Sequence, residues 1–240
     1  MAIPHYLAMT AAEMETASPL PKRAAWMACH FSPYSTGLAN LPEQLPEGSL
    51  LILNDRTPIH KHDPERIAKE LKTVLERFHC CGLLLDFQNP GSGETAVLAR
   101  YLAETLPCPL GISREYRVDK AAVFLPDVPP TVPLEEYLKP WQGQPVWLET
   151  ALEGQAITLT KNGAAFEANT ASDFLPAHAD AALHCHYHIR QEENALIFHT
   201  WRTPDDLNKL LTEAEALGVS LGVGLYQELG ETAIDAKVDL

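Results

Sequence analysis

The fold of this 240-residue chain is indicated most clearly by one segment, Gly82-Leu83-Leu84-Leu85-Asp86-Phe87-Gln88. Its apolar run follows a helical pattern, which is typical of a strand buried on both faces of a parallel sheet. The run ends in an acid, an aromatic residue and an amide. In a parallel barrel, polar residues at the C-terminal end of a strand face the mouth where active sites lie. Asp86 and Gln88 lie on the same face of the strand, so both are predicted to point into one pocket.

Seven further apolar runs, separated by turn signals, have the same character. Helical patterns follow several of them, for example from Asp63-Pro64 to His79 and from Thr203-Pro204 to Leu217. The first two runs leave little room for a helix after them. The alternation predicts an α/β fold, a (β/α)8 TIM-barrel-like arrangement with trimmed early helices. The predicted strands are His5–Thr10, Ala25–Phe31, Leu50–Asn54, Gly82–Gln88, Leu110–Ser113, Ala122–Leu125, Val146–Thr150 and Leu221–Tyr226.

The segment 156–201 interrupts this alternation. Two strand-like runs flank Asn162-Gly163, which is a hairpin turn signal. Two more runs, Leu183–Ile189 and Ala195–Trp201, follow. We predict a small antiparallel insertion before the last helix and strand, within a single barrel domain that spans residues 1–240.

Composition excludes several classes of function. The net charge of −14 and the lack of a basic cluster argue against binding to nucleic acid or to anionic membranes. No apolar run is long enough to span a bilayer, and the first residues lack the basic and apolar regions of a signal peptide. Five scattered cysteines form no disulfide framework. These features predict a cytoplasmic protein.

The fourth predicted strand resembles that of glycoside hydrolase family 18, which contains chitinases and bacterial glycosidases of spore peptidoglycan. The family pattern D-G-x-D-x-D-x-E aligns with Cys81 to Gln88. Gly82 and the last aspartate, Asp86, are retained, whereas Cys81 and Leu84 replace the first two acids and Gln88 replaces the glutamate. The antiparallel insertion after strand seven is similar to the family's as well. Tyr226 stands where the family has a sugar-stacking tryptophan at the end of the last strand.

The resemblance implies a barrel mouth that binds an N-acetylated oligosaccharide without a cofactor. In this family the acetamido group of the substrate acts as the nucleophile, so the enzyme needs a carboxylic acid chiefly to protonate the leaving oxygen. Gln88 occupies the position of that acid and, being an amide, cannot donate a proton. We therefore expect a glycosidase-like protein whose hydrolysis is impaired, with Asp86 and Gln88 at the centre of its site.

Other polar residues near predicted strand ends are candidates for the same mouth. Four acids at or just beyond the ends of strands five to eight are able to substitute as proton donors: Glu115, Asp127, Glu149 and Glu228. Because sugar faces stack on aromatic rings, Tyr34 and Tyr226 are predicted to line a carbohydrate cleft. Further polar candidates for contact with the substrate are Asn54, Asp55 and Glu228.

Two alternatives stay open. His184, His186 and His188 alternate along one predicted strand, and His60, His62 and Asp63 follow strand three, so a metal-dependent hydrolase is the second hypothesis. A half-exposed hairpin face explains the alternating histidines without a metal, and we predict that no metal is bound. The third hypothesis is a non-catalytic scaffold with a vestigial cleft.

Overall fold

A closed barrel of eight parallel strands forms the centre of the computed structural model, which describes residues 3–57, 62–89, 93–152, 154–169 and 174–234. Each barrel strand pairs with its neighbours in parallel, and pairing between the first two strands closes the ring. This confirms the predicted (β/α)8-like fold. In chain order the strands are β1 (His5–Met9), β2 (Ala24–Phe31), β3 (Leu38–Ala39), β4 (Leu50–Asn54), β5 (Gly82–Asp86), β6 (Leu110–Ser113), β7 (Ala122–Leu125), β8 (Val146–Thr150), β9 (Gly154–Thr160), β10 (Gly163–Asn169), β11 (His178–Asp180), β12 (Cys185–Glu192), β13 (Ala195–Trp201) and β14 (Val219–Leu225).

The barrel ring runs in the order β1-β14-β8-β7-β6-β5-β4-β2, and the short β3 adds antiparallel to β2. Alternate residues of each strand point inward, and the inward residues form an apolar plug. Trp147 is the largest member of this plug. Its indole occupies the space beside Gly111, where an added Cβ would lie 2.1 Å from the ring. Glycine at this position therefore makes room for the tryptophan inside the barrel.

Helices cover the outside of the barrel through their apolar faces. Asp63 caps α2, and its side chain accepts hydrogen bonds from the backbone amides of Glu65 and Arg66. Thr203 and Asp206 form a capping box at the start of α5. A six-residue helix also follows β1, with a capping box from Thr10 and Glu13, although the sequence left little room there. The helices are α1 (Ala11–Thr16), α2 (Pro64–Arg77), α3 (Gly93–Thr105), α4 (Leu134–Leu138), α5 (Pro204–Ala216) and α6 (Tyr226–Ile234).

The predicted antiparallel insertion is present as a second sheet between β8 and α5. Its five strands have the order β10-β9-β13-β12-β11. The β9–β10 hairpin turns at Lys161 and Asn162, as the Asn-Gly signal indicates. That residues 1–240 form one domain stays a prediction. Among the described helices, none has the length and apolar character needed to cross a bilayer.

Candidate functional site

A cavity of about 830 Å³ opens at the C-terminal ends of the barrel strands. Its size falls within the range of about 300–1,000 Å³ that is typical of small-molecule pockets. The inward-facing apolar residues Ala8, Ile52, Leu84, Phe124 and Val223 form its floor. The polar side chains of its wall are those of Thr10, His30, Asn40, Asn54, Asp55, Arg56, Thr57, Asp86, Gln88, Asn89 and Glu149.

Asp86 and Gln88 share this cavity, and their side chains contact each other. The Gln88 amide nitrogen donates to both carboxylate oxygens of Asp86, at 3.2 Å each. Burial raises the pKa of Asp86, the Gln88 hydrogen bond opposes this rise, and the negative charge of Asp55 adds to it. Phe87, between them, points outward into the core and is fully buried. The strand therefore presents one acid and one amide to the mouth.

Asp55 holds the backbone that carries Gln88 in place. It is 5% exposed, and its carboxylate accepts hydrogen bonds from the backbone amides of Gln88 at 3.0 Å and Asn89 at 2.9 Å. The neighbouring Asn54 donates to the Met27 carbonyl at 2.9 Å and accepts from the Arg56 amide at 3.1 Å. Both residues line the cavity, but most of their polar atoms form hydrogen bonds to the backbone that makes up the cavity wall.

Glu149 lines the cavity from β8, two residues after Trp147 on the inward face. Thr150, the next residue, turns away and bonds the His5 imidazole at 2.7 Å and the Val223 carbonyl at 3.1 Å. Burial raises the pKa of Glu149 to about 7, and the negative charges of Asp86, Asp127 and Glu228 contribute to the rise.

Asp127 does not join the cavity lining formed by the described residues. On β7, Phe124 faces into the barrel and Leu125 faces outward; the strand ends at Leu125, and Asp127 lies in the loop beyond it. Its carboxylate instead pairs at 2.6 Å with the guanidinium of Arg202, whose side chain is 1% exposed. Burial raises the pKa of Asp127 to about 6 against the opposing charge of Arg202. The expectation that Asp127 faces the concavity is corrected to a place in this ion pair.

Four more candidates lie outside the cavity lining. Tyr226 is the first residue of α6 rather than the end of a strand, and it packs against the outer core. Tyr34 is 97% exposed. The Glu228 carboxylate accepts a hydrogen bond from the Leu152 backbone amide. Glu115, considered as a substitute acid, pairs on the surface with Arg114 at 2.8 Å. The geometry thus favours Asp86, Gln88, Asn54, Asp55 and Glu149 as the shared set.

Several wall residues were missed by the sequence reasoning. Thr10 continues the inward register of β1 and was open to prediction from alternation alone. His30 was not, because a register irregularity between Trp26 and Cys29 shifts the end of β2 relative to β4. Asn89 lies in the loop beyond the end of β5.

The alternating histidines contact separate partners. His184 bonds Glu213 at 2.7 Å, His186 bonds Asp206 at 2.8 Å, and His188 bonds the Pro176 carbonyl at 2.9 Å. His62 packs against Phe31, and His60 lies outside the described residues. Among the residues placed in the structure, no group of three or more His, Cys, Asp or Glu side chains is arranged to hold a metal ion. The absence of a bound metal stays a prediction.

Comparison with solved structures supports the family resemblance at the level of the fold. A chitinase from Chromobacterium violaceum superposes with a TM-score of 0.61 at 11% identity, covering 98% of this chain and 97% of that one. The spore cortex-lytic enzyme SleL of Bacillus cereus gives 0.59 at 11% identity, covering 95% and 71%. A mutant family 18 chitinase from Cycas revoluta, in complex with (GlcNAc)4, gives 0.53 at 11% identity, covering 92% and 94%. No family model and no curated protein matches the sequence.

Proposed function

We propose that this protein binds an N-acetylated oligosaccharide in the mouth cavity and hydrolyses it poorly. One observation carries the proposal: Asp86 and Gln88 are bonded to each other in a cavity at the end of the fourth barrel strand. This strand carries the acids in the family whose fold the chain shares. Asp86 retains the last aspartate of the family pattern, and Gln88 replaces its glutamate.

The character of the cavity supports a sugar ligand. Its floor is apolar and includes the Phe124 ring, whereas its rim carries carboxylates, amides and hydroxyls. Sugars present an apolar face and many hydroxyl groups, so a surface divided in this way suits them. The structural neighbours include chitinases, one of them in complex with (GlcNAc)4.

The amide at position 88 supports impaired hydrolysis. General acid catalysis typically contributes about 10²–10⁴-fold to a rate, and an amide cannot supply it. Leu84, which replaces the middle acid of the family pattern, is 1% exposed in the apolar interior of the barrel. It therefore offers no polar support to Asp86. Binding is retained on this account, while the strand-four contribution to turnover is lost.

Titration calorimetry with (GlcNAc)4 tests the proposal. The wild-type chain should bind one oligosaccharide, and Asp86→Ala should weaken binding by about 10–100-fold, since a hydrogen bond to a charged group is worth about 1.5–3 kcal/mol. Asp119→Ala removes an exposed acid from the loop before β7, at the opposite end of the barrel, and is the matched control. Undetectable binding by the wild-type chain would leave the scaffold hypothesis in its place.

A further inference from the structure

Glu149 is held in a fixed place at the cavity wall. Trp147, two residues earlier, is 5% exposed and locked against Gly111 inside the barrel. Thr150, the next residue, is 1% exposed and bonded to His5 and the Val223 carbonyl. With both neighbours fixed, the Glu149 side chain is directed into the mouth from a rigid strand. Precise placement of this kind is what a reacting group needs.

The charges around Glu149 favour its neutral form. Three acidic residues lie near it, each on a different part of the fold: Asp86 on β5, Asp127 just after β7 and Glu228 on α6. The Tyr137 phenol of α4 is also near. The guanidinium of Arg202 is engaged by Asp127 at 2.6 Å, and Arg56 lines the same cavity as Glu149. No ion pair joins Glu149 to a lysine or arginine within the described residues.

Asp86 and Glu149 therefore have different protonation states available in one cavity. Asp86 accepts two hydrogen bonds from the Gln88 amide, whereas the Glu149 carboxylate accepts one, from the Asp127 backbone amide. When the environments of two acids separate their pKa values, the lower one serves as the carboxylate and the higher one as the acid. The rise in the pKa of Glu149 to about 7 is consistent with the second role.

We propose that Glu149, on the seventh barrel strand, is the proton donor for the slow hydrolysis of the bound oligosaccharide. It would replace the acid that Gln88 has displaced from the fourth strand. This inference rests on the proposed function, because it requires the sugar to occupy the mouth cavity. Asp86 keeps the role of the carboxylate that orients the acetamido group.

Water is the co-reactant in the proposed hydrolysis of the glycosidic bond. As the acetamido oxygen of the substrate bonds to the anomeric carbon, the bond from that carbon to the glycosidic oxygen breaks, and Glu149 gives its proton to the leaving oxygen. Water then attacks the anomeric carbon and opens the cyclic intermediate. The proton that water loses returns to Glu149, which restores the starting acid.

Leaving-group dependence distinguishes a proton donor from a structural residue. A glycoside with a dinitrophenyl leaving group departs without protonation, whereas (GlcNAc)4 requires it. We expect Glu149→Gln to slow hydrolysis of (GlcNAc)4 by about 10²–10⁴-fold and to slow the dinitrophenyl N-acetylglucosaminide far less. The wild-type rate should fall above about pH 7, the pKa of Glu149, because the proton donor is then ionised. This fall should be absent from the variant. Glu47→Gln, at an exposed position in the loop before β4 and so at the opposite end of the barrel, is the matched control.

Each outcome decides between the two proposals. Calorimetry on the same variants should show (GlcNAc)4 affinity within a few-fold of wild type in Glu149→Gln. Equal losses on both substrates would indicate a structural role and overturn the inference, as would a wild-type rate in the variant. Binding without turnover of either substrate by the wild-type chain would overturn the inference and leave the proposed oligosaccharide binding intact. No binding at all would refute both.

Discussion

Replacing Glu149 by glutamine should stabilise the protein at alkaline pH. The substitution keeps the size of the side chain and removes its ability to ionise. In the folded protein the Glu149 carboxyl is partly buried, near Asp86, Asp127 and Glu228. Ionisation of this group therefore costs free energy that the unfolded chain does not incur.

The magnitude follows from the pKa of Glu149, which rises from its ordinary value of 4.5 to about 7 on folding. Between these values the folded state binds more protons than the unfolded state, so wild-type stability falls as the pH rises and levels off above pH 7. The full effect is about 3 kcal/mol at 1.36 kcal/mol per pKa unit. Between pH 5.5 and 8.5, the stability advantage of Glu149→Gln should grow by about 2 kcal/mol.

Urea unfolding followed by tryptophan fluorescence, at half-unit steps of pH from 5.5 to 8.5, measures this difference. Glu115→Gln serves as the control, because Glu115 is about half exposed in a surface pair with Arg114, and such pairs contribute about 0–1 kcal/mol. An advantage of Glu149→Gln that stays constant with pH, or that shrinks as the pH rises, would refute the reasoning that Glu149 holds a proton in the folded protein.

Three further predictions test the barrel and its mouth. Asp127→Asn should destabilise the fold by about 3–5 kcal/mol in urea unfolding, because it leaves the buried Arg202 guanidinium without its carboxylate partner. The control Asp205→Asn, in an exposed pair with Lys209, should cost less than about 1 kcal/mol. Equal losses in the two variants would contradict this prediction. Gly111→Ala should lower stability by about 1–3 kcal/mol or more, because the added Cβ would lie 2.1 Å from Trp147. Gly93→Ala adds its Cβ in open space and should not lower stability. Thermal unfolding of both variants measures the difference. Gln88→Glu should raise hydrolysis of (GlcNAc)4 in a reducing-sugar assay, though only partly because Leu84 gives Asp86 no polar support; an unchanged rate would show that position 88 does not reach the leaving oxygen.

The strands and the central pair were accessible from the sequence because their signals are local. Each apolar run bounded by turn signals became a strand, and both Asp86 at the end of β5 and Gln88 two residues later reached the mouth. Glu149 and Asn54 were found in the same way, as polar residues ending an apolar run. The Asn-Gly turn likewise located the β9–β10 hairpin.

Asp127 and Tyr226 were misplaced for a shared physical reason. A barrel strand is apolar on both faces, so its sequence does not reveal which residues point inward. On β7 the inward residue is Phe124 and not Leu125, and the strand ends at Leu125, so alternation along the strand does not place Asp127. Tyr226 was read as the end of the last strand, but β14 ends at Leu225 and the tyrosine begins α6. Long-range packing decides both cases.

A crystal structure of the wild-type chain grown with (GlcNAc)4 would show where the sugar binds. We expect one sugar chain in the mouth cavity, with an acetamido group within hydrogen-bond distance of Asp86 and a glycosidic oxygen facing Glu149. An empty cavity at saturating oligosaccharide, or a sugar seated on the antiparallel sheet of β9–β13 instead, would contradict it.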